Sequence, residues 1–294
     1  MKTVFIGSVI FSRTVLAALA AQPDVEITGV VTRRAAPASG DFASLRDDAA
    51  TLGAPCLEAD DTDNAALAAW IRDHAPDALF CIGWNRLLTG EVLAIAPKGT
   101  IGYHPAALPE NRGRHPIIWA LALGLSETAS TFFLMDEGAD TGAIVDQEPV
   151  PIGADDDAGS LYARLQDVAS DQITRFVPRL ADGTLAPRPQ DPQAGNSWRK
   201  RGPEDGRIDW RMPAQSIRNL VRALAAPYPG ATCLVGGHDV VVRRAEIVAD
   251  APRNLEPGKV LSVEGKSLVV KCGGGAVRLT EHDIDPLPEP GAYL

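Results

Sequence analysis

Cysteine is scarce in this chain, with four in 294 residues. Cys56, Cys81, Cys233 and Cys272 are far apart, and no two form a C-x-x-C pair. A disulfide framework and a structural metal site are therefore not expected. Each cysteine lies in or beside an apolar stretch and reads as a small buried hydrophobe. Positive charge is also in short supply, with 28 Lys and Arg against 38 Asp and Glu and a formal net charge of −10. Phosphate neutralisation supplies much of the energy of nucleic-acid binding, so a nucleic acid is not the expected partner. No apolar run approaches the roughly 20 residues of a membrane helix. The run at residues 3–7 is too short and too early for a signal peptide, so the expected location is the cytoplasm. A G-x-G-x-x-G fingerprint is missing too, which argues against dinucleotide binding.

What is present suits a folded protein with two cores. Hydrophobic residues make up 45% and charged residues 22%, close to ordinary globular usage. The length is comfortable for two domains. Residues 3–7 read as a strand that ends at Gly7-Ser8. Val15, Leu16, Leu19 and Ala20 then mark one face of a helix, and residues 25–31 read as a second strand. The alternation continues with helices at 42–52, 65–73 and 91–96 and strands at 78–83 and 100–104. A helix at 116–123 starts with a tolerated proline. Strands at 130–135 and 143–150 follow, then a long helix at 160–180 with Leu161, Leu165, Val168 and Ile173 on its apolar side. Strand-helix-strand units imply a mostly parallel, Rossmann-like sheet in an α/β domain. This domain is expected over residues 1–185. Residues 186–206, rich in Pro, Gly, Asp and Gln, read as a linker. Residues 207–294 carry one helix near 214–225 and five short strands, with hairpin signals at Gly236-Gly237 and Glu264-Gly265. That pattern predicts a small, mainly antiparallel C-terminal module shaped as a partly open, OB-like β-barrel.

Chemistry is concentrated between residues 101 and 145. Gly102-Tyr103-His104-Pro105 is followed by Asn111-Arg112-Gly113-Arg114-His115-Pro116 and then by Asp136-Glu137-Gly138-Ala139-Asp140-Thr141-Gly142. Ligands of open parallel sheets bind beyond the carboxyl ends of the strands, and His104 closes a strand. An imidazole there can take a proton near neutral pH. A carboxylate beside it would orient the ring and favour its cation. Asp140 is the expected partner, with Asp136 as the alternative.

The pattern H-P-x-x-L-P, R-G-R-x-P and D-E-G-x-D-T-G resembles the formyltransferase family that uses 10-formyltetrahydrofolate. The opening Phe5-Ile6-Gly7-Ser8 is similar too. So are Arg207-Ile208-Asp209-Trp210 and Pro227-Tyr228-Pro229-Gly230-Ala231 in the second module. The resemblance implies the formyltransferase fold and direct transfer of a formyl group to an amine. It implies that His104 and Asp140 are catalytic. It implies that Arg86, Leu87 and Leu88, in the loop after the 78–83 strand, hold the folate with Asp136, Gly138 and Ala139. Tyr103, Arg112, Arg114 and His115 are expected to contact the accepting substrate, and no metal is implied. The family's catalytic Asn normally stands two residues before the His, where this chain has Gly102. Asn85 is the expected replacement, with Asn111 or a backbone N–H near Gly102 as the other candidates.

The resemblance leaves the acceptor open. Members that act on methionyl-tRNA carry a long basic loop after the second strand. Here residues 33–41 are short and nearly neutral. The segment at residues 222–231 is similar to that of UDP-4-amino-arabinose formyltransferases. A nucleotide-linked amino sugar is therefore the expected partner, and a homodimer is expected from the sugar-acting members. A methionyl-tRNA acceptor, or a formylfolate hydrolase without an acceptor, remains the alternative.

Overall fold

The computed structural model describes residues 1–35 and 40–294. The middle of the loop that separates the sugar and tRNA readings, residues 36–39, lies outside the described residues. Two compact units result. The first joins Met1–Gly113, Thr128–Val150 and Ala163–Trp198. The second joins Arg114–Glu127, Pro151–Tyr162 and Arg199–Leu294.

The longer strands of the first unit are rich in β-branched and aromatic residues. They are β1 (Lys2–Gly7), β2 (Glu26–Thr32), β3 (Cys56–Glu58), β4 (Ala78–Ile82), β5 (Thr100–His104), β6 (Arg112–Gly113), β7 (Glu127–Leu134), β8 (Ile144–Pro151) and β9 (Ser197–Trp198). The helices of the chain are α1 (Ile10–Ala20), α2 (Arg46–Thr51), α3 (Asn64–Asp73), α4 (Gly90–Leu93), α5 (Pro116–Ala122), α6 (Ala158–Asp182) and α7 (Ala214–Ala223). Seven strands make one sheet in the order β3-β2-β1-β4-β5-β7-β8. From β3 to β5 the pairing is parallel, and β7 joins β5 antiparallel. The central strands β1 and β4 are buried along almost their whole length, as strands covered on both faces must be.

Helix α1 buries Phe11, Val15, Leu16 and Leu19. Helix α6 buries Leu165, Ala169, Ile173, Phe176 and Val177, whereas the expected core residue Val168 is only half-buried. Phe132 lies between Tyr103 and Phe176, with ring centroids 4.9 and 5.1 Å away. The helix expected over residues 42–52 is shorter. Ala43 N donates to Ser8 O and Leu45 N donates to Thr32 Oγ1. Phe42 also forms an antiparallel bridge with Val9, so the chain is strand-like at this point and helical bonding begins only at Arg46. Cys81, Cys233 and Cys272 are buried as expected, but Cys56 is exposed. It opens β3, the edge strand, which has a partner on one side only.

The stretch read as a linker is tied down over residues 188–198. Arg188 and Ile144 exchange backbone bonds of 2.8 Å, and β9 pairs with β6. Its Pro- and Gly-rich composition describes poor helix and strand propensity. It does not report hydrogen bonds to distant residues.

In the second unit, β10 (Ala231–Val235), β11 (His238–Val248), β12 (Val260–Glu264), β13 (Ser267–Lys271) and β14 (Ala276–His282) form an antiparallel sheet in the order β10-β11-β14-β13-β12. Gly236 and Gly237 both have positive φ, 57° and 83°. A two-residue hairpin turn of the primed type needs this, because its twist matches the strands it joins. Helix α7 buries Ile217, Leu220 and Val221 and packs on β11.

Candidate active site

Strand β5 delivers the site. Side chains alternate along it, so Gly102 and His104 face one side of the sheet and Tyr103 the other. His104 is 4% exposed. Its Nε2 lies 2.7 Å from the Asn111 carbonyl oxygen. A carbonyl only accepts, so Nε2 carries the hydrogen and donates it. That assignment leaves Nδ1 as the basic nitrogen of the neutral ring. Nδ1 lies 3.6 Å from Asp140 Oδ2. This is too long for a direct hydrogen bond, but it is close enough for the carboxylate to stabilise positive charge on the ring. The same carboxylate oxygen accepts from Gly113 N at 2.9 Å.

The loops that hold this pair adopt unusual backbone shapes. Asn111, at φ 62°, and Asp140, at φ 58°, are left-handed although neither is glycine. Such conformations cost about 1–2 kcal/mol and persist where surroundings enforce them. At Gly142 the approach is closer still. A Cβ there would lie 1.6 Å from the Leu134 carbonyl oxygen, so the glycine that ends D-T-G lets the loop fold back on β7.

Position 102 is filled by neighbours. A Cβ on Gly102 would lie 2.8 Å from Met135 Cγ and 2.9 Å from Phe133 Cζ. Phe133 and Met135 pack with Leu108 and Ile144. An apolar plug therefore occupies the space where the resemblance would put an asparagine.

The other expected residues divide. Asp136 is not the partner of His104, because its Oδ1 accepts from Gly138 N at 3.0 Å and from Thr141 Oγ1 at 2.6 Å and so shapes its own turn. Gly138 and Ala139 are exposed in that turn. Asn85 is exposed in the loop after β4, with its amide oxygen 3.4 Å from Arg33 Nη1. Arg86 donates to the carbonyls of Ala59 and, at 2.6 Å, Thr62. Leu87 is 84% exposed and Leu88 is buried.

Two expectations are corrected. Tyr103 points away from His104, stacks on Phe11 at 4.3 Å and shares a 2.9 Å hydrogen bond with Ser130 Oγ. Burial pushes its phenol pKa well above the ordinary value, and strand alternation rules it out as a contact on the His104 face. Arg112 is 7% exposed. Its guanidinium donates to Gln190 Oε1, to Ala194 O at 3.1 Å and to Asp191 O at 3.4 Å. These donors are engaged by the protein's own acceptors, not turned to the surface. Arg114 and His115 belong to the second unit. Arg114 is exposed there. Burial, together with the charges of Arg114, Arg201 and Lys200, lowers the His115 pKa.

Residues 1–177 match the model of the formyl transferase family, and residues 200–286 match that of the formyl transferase C-terminal domain. The chain belongs to the formyl transferase family. Solved structures of low identity share its fold. An N-formyltransferase from Helicobacter canadensis, solved with folinic acid and dTDP-3-aminofucose, is 15% identical at a TM-score of 0.70, over 96% of this chain and 100% of that one. HypX from Aquifex aeolicus, solved with tetrahydrofolic acid, is 18% identical at 0.67, over 96% of this chain. The chain spans only 44% of HypX. Glycinamide ribonucleotide transformylase 1 from Symbiobacterium toebii is 22% identical at 0.56, over 65% of this chain and 94% of that one.

The two segments expected to hold folate lie side by side. Trp84, Leu88 and Met135 pack on one apolar cluster. A Cβ at Gly90 would lie 2.7 Å from Glu137 Oε1. Trp84 Nε1 is buried and, among the described residues, has no hydrogen-bond partner. Among the described residues no group of His, Cys, Asp and Glu is arranged to hold a metal ion. No described helix is long and apolar enough to cross a membrane.

Sequence reasoning missed Gln190 and Asn196. Both lie in the Pro- and Gly-rich stretch, and no motif spacing marks them.

Proposed function

We propose that this chain transfers a formyl group from 10-formyltetrahydrofolate to a primary amine. The observation that carries the reading is His104, buried at the end of β5 with Nε2 fixed by the Asn111 carbonyl and Nδ1 turned toward Asp140. The co-substrate supplies an electrophilic formyl carbon and a folate nitrogen as leaving group. His104 Nδ1 takes the proton that the amine sheds as it bonds to that carbon, and returns it to the departing folate nitrogen as the oxyanion collapses and the carbon–nitrogen bond breaks, so that neutral tetrahydrofolate leaves and the imidazole is restored. Asp140 balances the resulting imidazolium, and the Asn111 carbonyl keeps the ring from turning. Such proton transfer contributes about 10²- to 10⁴-fold. Residues 84–88 and 136–140 hold the folate. Asn85 supplies the amide donor for the developing oxyanion. Its oxygen faces Arg33, which leaves Nδ2 for an acceptor. Asn85→Ala is expected to slow the chemical step at least about ten-fold. A wild-type single-turnover rate would transfer that role to Asn111.

The accepting amine is that of a nucleotide-linked amino sugar. Two observations support this class. One is the fold shared with the Helicobacter canadensis N-formyltransferase. The other is the net charge of −10, which disfavours a tRNA grip. The test incubates the protein with 10-formyltetrahydrofolate and a panel of nucleotide-linked amino sugars and follows mass gain of one formyl group. At least one sugar is expected to gain it. Formylation confined to methionyl-tRNA would replace the acceptor. Formate released at full rate without any amine would replace transfer by hydrolysis.

A further inference from the structure

The bonds from His104 Nε2 to the Asn111 carbonyl and from Gly113 N to the Asp140 carboxylate both involve residues held by one short segment, 190–198, which lies between the two family matches at 1–177 and 200–286. Gln190 is central to it. Its Nε2 donates to the Asp140 carbonyl at 2.9 Å and to the Gly142 carbonyl at 2.7 Å. Its Oε1 accepts from Arg112 Nη2 at 2.8 Å and Nε at 3.2 Å. One primary amide thus joins the loop that carries Asp140 to the strand that follows Asn111. The neighbouring residues hold the other side. Asn111 N donates to Asn196 Oδ1 at 2.7 Å, and Arg112 N donates to Asn196 O at 3.1 Å. Two glycines permit the close approach. A Cβ at Gly195 would lie 1.9 Å from Pro109 O, and one at Gly113 would lie 2.3 Å from Trp198 O.

We infer that Gln190 is a positioning residue for formyl transfer, acting through the main chain at residues 140–142 to set the distance and angle of Asp140 toward His104. This inference rests on the functional reading above. The physical argument is geometric. Asp140 holds a left-handed backbone at φ 58°, a conformation that aspartate adopts more readily than most other non-glycine residues but that still favours a single arrangement when its carbonyl is bonded. The bonds from Gln190 to the carbonyls of 140 and 142 supply that constraint. Arg112 in turn fixes the Gln190 amide so that its NH₂ faces the loop. A buried Arg beside a Gln, rather than beside a carboxylate, gives the amide one orientation only, because its oxygen must meet the guanidinium. Residues 190–198 therefore act as a brace for the site.

Two measurements test the brace. In formyl transfer to the amino sugar identified by the screen, Gln190→Ala is expected to lower kcat by about 10- to 100-fold, the range that a small misplacement produces. The KM for 10-formyltetrahydrofolate is expected to rise by less than kcat falls, because the 84–88 half of the proposed folate site lies outside the braced loop. In an Asp140→Asn background the same substitution should cost much less, because residues that act as a unit are not additive. Equal cost in both backgrounds would show a general structural role and overturn the inference. The second readout needs no turnover. Amide hydrogen exchange of the full chain should be faster in Gln190→Ala within residues 108–113 and 136–142 and unchanged in β1, β2 and β4. Unchanged exchange in both loops would overturn the brace on its own. If the wild-type protein formylates no amine, the functional reading falls, and the exchange result alone decides the brace.

Discussion

His104→Gln is expected to reduce formyl transfer by about 10²- to 10⁴-fold while the protein remains folded. Glutamine is the informative replacement. Its Nε2 lies as many bonds from the main chain as the imidazole Nε2, so it can still donate toward the Asn111 carbonyl that now receives Nε2 at 2.7 Å, and the buried acceptor is not left unpaired. What disappears is the second ring nitrogen, the basic atom 3.6 Å from Asp140. His104→Ala removes both functions and leaves a void in a site that is 4% exposed. Its loss of rate therefore mixes chemistry with packing. Rates should be taken at saturating 10-formyltetrahydrofolate, with folate binding measured separately by calorimetry. Binding should survive in both variants, because the proposed folate segments lie at 84–88 and 136–140. A His104→Gln rate within three-fold of wild type would remove the imidazole from the mechanism and with it the reading of the site.

Gly102→Asn tests why the chain departs from the family at its most telling position. A side chain there meets Met135 Cγ at 2.8 Å and Phe133 Cζ at 2.9 Å, both inside normal contact. Met135 also packs on the cluster that includes Leu88, so it cannot yield without disturbing the proposed folate wall. Overpacking of this kind costs about 1–3 kcal/mol, which urea unfolding should show as a lower midpoint at unchanged slope. Activity should not rise. The double variant Gly102→Asn, Met135→Ala should regain part of the stability, because removing one side of the clash relieves the other. A Gly102→Asn protein as stable as wild type and faster than it would mean that the plug moves aside freely. The assignment of the oxyanion donor to Asn85 would then have to be withdrawn.

Much of the fold was legible in local pattern. The reading placed β5 at its observed bounds, and most other strands and helices of the first unit began or ended within a few residues of their expected ends. Short β-branched runs and 3.6-residue periodicity report a residue's own face, and that face is set locally. The helix at 42–52 was overread for the complementary reason. Its first four residues are apolar enough to look helical, but Phe42 bridges to Val9 in strand-like pairing. Cys56 was expected inside because composition cannot tell an edge strand from a central one.

At the site, the identities of the acting groups were readable and their supports were not. His104 at a strand end and Asp140 in a Gly-rich turn are where residue chemistry and strand topology put them. Tyr103 and Arg112 were expected on substrate because their types suit it. One faces the wrong side of the strand, and the other is consumed by Gln190 and by carbonyls near residue 194. The amino-acid order alone determined the alternating strands and helices, the family and the pairing of His104 with Asp140, since each depends on local periodicity or on a dense motif. Only the tertiary structure decided which nitrogen of His104 is basic, why residue 102 has no room for a side chain, and that residues 190–198 grip the site. Those outcomes depend on hydrogen bonds and contacts between residues as many as 85 positions apart, and no periodicity records such pairs.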